Sequence, residues 1–388
     1  MKGQAYPAAK TVAPTVEAHF ARHVLEARQR GDQEIASPPD ADSIETIIAA
    51  AFWASLRREE GYVPKISLAF LPAAAARLPL LFERPLPLDP GVLTRVAPAV
   101  ERSGIHLGVW RDRGESDELR VWGTTRTIPA LCFVLEVAAP GLLVVKHHRG
   151  EESGKFVNVA VLEGDQIKVV DAHASGLPDC PSLVTSLLGF DAQAPWIDSV
   201  NVLVQLAVSM RAHGRGGLLL IVPTGAESWR ESIVRPIAYA VSPPYSELAR
   251  LGHDAPPAHA GDDDRRGRHW QDAVGRAVEA IAGLTAVDGA TVLTSGYDVL
   301  AFGAKIARRH GLPQVEQVTL TEPVVGGVAV VVHPGELGGT RHLSAAQFVQ
   351  DQREAVALVA SQDGHFTVFA WSSCEGMVHA HRVETLLL

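Results

Sequence analysis

Apolar and polar positions change their period several times along this chain. Residues 16–30 repeat apolar side chains at helical spacing, and residues 28–42 form a polar, Pro-containing connection. Residues 43–58 predict a second helix capped by Asp42 or Ser43, with Ile44, Ile47, Ile48, Ala51 and Phe52 facing inward. A strand is expected at 65–71, followed by a Pro-rich loop. From 105 to 170 the period becomes that of strands, at 105–110, 119–122, 130–137, 142–146, 156–162 and 167–170. Gly, Pro and charged turns separate them, Glu163-Gly164-Asp165 being a hairpin turn. This half predicts an α+β domain with a mainly antiparallel sheet.

The pattern breaks at 191–195, so two domains are expected, 1–195 and 196–388. The second opens with a helix at 197–212, carrying Val202, Leu206 and Met210 inward, and a short buried strand at 218–222. A loop and helix are expected up to Leu248, a solvated charged loop at 253–269, and a helix at 271–281. Asp288-Gly289-Ala290 then heads a hairpin: Thr291 to Leu293, a turn at Ser295-Gly296, and Val299 to Phe302. A second hairpin has strands at 355–360 and 366–369 around Asp363-Gly364. Between the hairpins, Lys305, Arg308, Arg309 and His310 form a basic cluster expected to face water, and a Gly-rich turn opens a helix near 340.

Composition adds limits. The 388 residues are 47% hydrophobic with a net charge of −9, so no basic surface argues for nucleic acid as a partner. The longest apolar run, 128–145, is broken by Glu136 and Pro140-Gly141 and reads as two strands, not a membrane span. No signal-like segment is visible, and Cys132, Cys180 and Cys374 lie far apart; both point to a reducing cytoplasm. Residues 1–14 are expected to be poorly ordered. His147-His148 and His173 are expected at the surface; adjacent histidines on a strand face opposite ways and cannot chelate one ion easily. The first domain carries no catalytic signature, so a regulatory or assembly role is expected.

The stretch that carries candidate chemistry is Gly338-Gly339-Thr340-Arg341-His342-Leu343-Ser344-Ala345-Ala346. It predicts a tight loop opening a helix, with Thr340 as N-cap. Glycines admit a close ligand, the first helical turn presents unpaired N–H groups, and Arg341 and His342 add cations. The chemistry suits a phosphate group; a capped surface helix whose Arg pairs with a local carboxylate explains the same residues. Asp288 offers a hard oxygen ligand suited to Mg²⁺ or Mn²⁺, or is a turn residue.

The order Asp-Gly-Ala, Gly-Thr-Arg-His-x-Ser-Ala, strand, Ser-x-acid-Gly, strand resembles the diadenylate cyclase domain over residues 202–371, in a divergent form akin to the DACNV-type probable sensors. The resemblance implies a mixed-sheet α/β domain following the α+β one. It implies that Asp288 organises a metal and the attacking 3′-hydroxyl, with Asp363 as a second metal ligand. Gly289 and Ala290 would make room for adenosine, and Gly339, Thr340, Arg341, His342 and Ser344 would hold the phosphates. The implied reaction condenses two ATP into cyclic di-AMP and two pyrophosphates across a dimer. Two positions depart from the family pattern: Leu343 replaces an expected Arg, and Gln362 an acid. They favour the alternative, an inactive sensor that binds ATP or a cyclic dinucleotide.

Overall fold

The computed structural model describes residues 5–32, 34–59, 61–102, 104–112, 118–148, 156–171, 199–253 and 264–388. The break at 191–195, the boundary expected after 195, His173, Cys180 and most of the charged loop at 253–269 lie outside them. The chain divides into two compact units, Met1–Val170 with Leu388, and Asp171–Leu387.

The first unit begins with α1 (Pro7–Arg30), which starts well inside the stretch expected to be disordered. Pro7 fits a first helical turn, where its missing N–H is not needed. Ala8, Ala9, Val12, Ala13 and Val16 continue the buried stripe toward Phe20. Helix α2 (Ala41–Ser55) is capped by neither Asp42 nor Ser43: Asp40 accepts the Ser43 N–H at 2.9 Å. Strand β1 (Ser67–Phe70), β2 (Leu80–Pro87) and α3 (Pro90–Val96) precede β3 (His106–Arg111), β4 (Leu119–Thr125), β5 (Phe133–Ala139), β6 (Leu142–His148), β7 (Phe156–Glu163) and β8 (Gln166–Val169). The sheet runs β2-β4-β3-β1-β5-β6-β7-β8. Among the described strands only the β1–β3 pair is parallel, so this unit is α+β with a mainly antiparallel sheet.

Both β2 and α3 fall where a Pro-rich loop was expected. An edge strand tolerates Pro85 and Pro87 because it lacks a partner on one side. Phe20, Ile44, Ile47, Leu68, Leu107 and Leu135 centre the core. His147 and His148 are not surface residues; they are 7% and 8% exposed. As strand alternation requires, they face different neighbours: His147 packs by His19 and His23, and His148 by Phe156.

The second unit contains α4 (Ser199–Ala212), β9 (Gly217–Val222), β10 (Tyr239–Tyr245), α5 (Glu247–His253), α6 (Asp264–Thr285), β11 (Ala290–Thr294) and β12 (Val299–Ala304). Then come β13 (Val318–Thr321), β14 (Val330–Val332), α7 (Thr340–Asp351), β15 (Val356–Ala360), β16 (Phe366–Ser372) and β17 (Met377–Arg382). The sheet order is β10-β12-β11-β9-β15-β16-β17-β13-β14. It is mixed: β9 runs parallel to β11 and β13 to β17, and the other pairs are antiparallel. Every residue of β9 is buried, which explains its unbroken apolar run.

Ala345, Ala346, Phe348 and Val349 of α7 pack with Leu218, Leu220, Val222, Ala357 and Phe369. Strands β10, β13, β14 and β17 were not legible in the sequence. Strand β14 has three residues, β10 contains Pro243-Pro244, and both stand at sheet edges.

Candidate functional site

Two elements place the candidate residues. Strand β11 pairs in parallel with β9, so both start at the same end of the sheet. Helix α7 packs against β9 and β15–β17, and its first turn stands over that end. There, Asp288, Gly289, Ala290, Thr340, Arg341 and Ser344 line one cleft of about 220 Å³. Asp288 and Arg341, fifty-three positions apart in sequence, are brought to one cavity by the β9–β11 pairing and the seat of α7.

The cap of α7 is Gly339, not Thr340, and no side chain caps the helix. The first-turn N–H groups therefore lack a side-chain acceptor beside the cleft. Gly338 serves packing: a Cβ there would lie 2.5 Å from two atoms of the His342 ring. Gly339 has open space around it.

Lys305 also lines the cleft, and its Nζ lies 2.6 Å from Asp288 Oδ2. The Lys305 hydrogen bond, helped by its charge and by Arg341, holds the Asp288 carboxyl below the usual range. Lys305 is exposed, as expected of the cluster, but it faces water at the mouth of this cleft rather than away from it. The signal was present in the hairpin: Ala304 pairs with Ala290, which sets Lys305 opposite Gly289. Arg309 of the same cluster goes elsewhere, pairing with Glu231 at 2.7 Å and donating its backbone N–H to Asp351.

Three expected members are not on the cleft wall: Gly339, His342 and Asp363. His342 is 2% exposed and packs edge-on against Phe369 at 6.1 Å. Burial, with the Arg382 charge, pushes its pKa down to about 4, so it is neutral at pH 7 and offers no cation to a phosphate. The sequence placed it beside Arg341, but consecutive helical residues point about 100° apart. Asp363 sits in the β15–β16 turn, where it accepts the Ser361 hydroxyl, as its reading as a turn residue has it. Gln362 donates to the Arg215 carbonyl at 3.3 Å. Leu343 packs against the core, so no third cation enters from this turn.

The cleft therefore holds two cations, one carboxylate and a helix N-terminus, a net positive set suited to an anion. It does not by itself fit a resident Mg²⁺ or Mn²⁺. Asp288 is tied to Lys305, Asp363 is elsewhere, and among the described residues no group of three His, Cys, Asp or Glu side chains could hold a metal ion.

Comparison with known proteins bears on the first unit. Residues 33–126 match the family model described as "Probable sensor domain DACNV". The match falls on α2, β1, β2, α3, β3 and β4 of the first unit, where no catalytic pattern is visible. It does not reach residues 202–371, over which the cyclase resemblance runs. None of the curated proteins matches the chain. No helix among the described residues is long and apolar enough to cross a membrane.

Proposed function

We propose that the second unit binds the phosphate groups of a nucleotide, ATP or a cyclic dinucleotide, and that the chain acts as a nucleotide sensor. One observation carries this reading: Arg341, Lys305 and the uncapped first turn of α7 line the same cleft, opposed by the single carboxylate of Asp288. A volume of about 220 Å³ is below the usual range for a whole drug-sized ligand. The polyphosphate would lie within, with the base on the open side. The inward ring of His342 and the turn position of Asp363 support binding over turnover. The match of residues 33–126 to a probable sensor family agrees with it.

Asp288 favours a second reading, the condensation of two ATP into cyclic di-AMP by two facing copies with Mg²⁺ or Mn²⁺. A pure phosphate reader has little use for a carboxylate beside the phosphates, and Gly289 and Ala290 stand next to it. A homo-oligomer, at least a dimer, belongs to this reading. The test titrates the full chain with ATP and with cyclic di-AMP by calorimetry, and incubates it with ATP and either metal, followed by chromatography. Saturable binding with no new dinucleotide supports the sensor. Cyclic di-AMP that disappears in Asp288→Asn establishes the cyclase, and no binding of either nucleotide overturns both.

A further inference from the structure

A second, larger cavity of about 540 Å³ opens at the other end of the same two elements. It begins where β9 ends, at Val222 and Pro223, and where α7 ends, at Asp351. Its volume falls within the range of small-molecule sites. Trp229, Leu312, Pro313, Arg353 and Trp371 give it flat and apolar walls.

Most of its polar groups are already satisfied. The Asp351 oxygens accept the Arg309 backbone N–H at 2.7 Å and the Gln347 amide at 2.9 Å. Arg309 is paired with Glu231. The Gln352 amide donates to Ser228 and Ser232, each at 2.9 Å. Glu354 is an exposed carboxylate among the lining residues.

Besides Glu354, which faces solvent, two donors are left over. Trp229 is 1% exposed, yet its Nε1–H has no hydrogen-bond partner. A buried N–H without an acceptor is uncommon, because it forfeits water and gains nothing in return. The Arg353 guanidinium lies 4.0 Å from the centre of the Trp371 ring and, among the described residues, pairs with no carboxylate. A guanidinium fixed on an aromatic face keeps its N–H edge available to a planar acceptor.

We propose that this cavity binds a small planar organic anion of the aromatic carboxylate class. Its carboxylate takes the Arg353 fork and the Trp229 N–H, and its ring lies against Trp371 and Pro313. The site is separate from the nucleotide cleft and does not depend on the reading of that cleft.

The test titrates the full chain with 4-hydroxybenzoate and indole-3-carboxylate by tryptophan fluorescence and calorimetry, with methyl 4-hydroxybenzoate as the neutral control. At least one acid should bind saturably, and the ester should bind much more weakly than its acid. Arg353→Gln, at an exposed position where folding is not at risk, should weaken binding by roughly tenfold or more, as for loss of a charge-assisted contact. Trp229→Phe should weaken it several-fold, and Arg341→Ala should leave it unchanged. Saturable binding of neither acid at millimolar concentration, equal binding of acid and ester, or unaltered affinity in Arg353→Gln overturns the proposal.

Discussion

Replacing Arg341 by Ala tests the nucleotide cleft most directly. The guanidinium stands in the first turn of α7 and shares the cleft with Asp288 and Lys305. It is half-buried and, among the described residues, makes no ion pair within contact distance, so its removal strands no buried partner. The stability cost should stay within about 0.5 kcal/mol, as for an ordinary surface substitution. Its contact to a bound phosphate is charge-assisted, worth about 1.5–3 kcal/mol, or roughly 10- to 150-fold in affinity. Arg341→Lys keeps the charge but loses the fork, so it should fall between wild type and Ala. Calorimetric titration of the full chain with ATP, beside a thermal melt, gives both quantities. An Ala variant that melts like wild type and binds ATP within twofold of it would refute the assignment of this cleft to phosphate.

Gly216 has φ +71°, and a Cβ there would lie 2.8 Å from Arg341 Nη1. Gly216→Ala should cost about 1–2 kcal/mol from the left-handed backbone and also weaken ATP several-fold by displacing the guanidinium. Gly214→Ala, at φ +64° with open space around it, should cost similar stability and leave ATP affinity intact; equal effects on affinity would contradict this. Burial pushes the pKa values of His342 and His381 down to about 4, against 6.5 when unfolded. The unfolded chain therefore takes up protons first, and the second unit should lose stability as pH falls from about 6.5 toward 4. A urea midpoint that stays flat from pH 7 to pH 4.5 would count against this. Phe348→Ala, at a side chain with no exposed surface, should cost about 3–5 kcal/mol in urea unfolding. A loss below about 1 kcal/mol would mean that α7 does not anchor the second core.

What was legible in the sequence follows from local period and local chemistry. The strands of the first sheet other than β2, the all-apolar β9 and the two hairpins announce themselves through alternation and turn residues. The Gly-Gly before Thr340 marks the start of α7. The pattern was silent at β14 and read β10 as part of a loop and helix up to Leu248, because edge strands carry exposed or Pro-containing segments that gain their pairing only from a neighbour. It misread residues 7–14, whose small apolar side chains make a helical face only once a core is there to receive them.

The chain order shows that Asp288 and Arg341 are available, but not that they meet. The parallel pairing of β9 with β11 and the seat of α7 bring them to one cleft. The same packing turns His342 inward, leaves Asp363 on a hairpin turn and swings Lys305 in beside Asp288. Residue identity and spacing set which groups can face a phosphate. Helix rotation, strand register and burial, which depend on contacts between distant segments, decide which of them do.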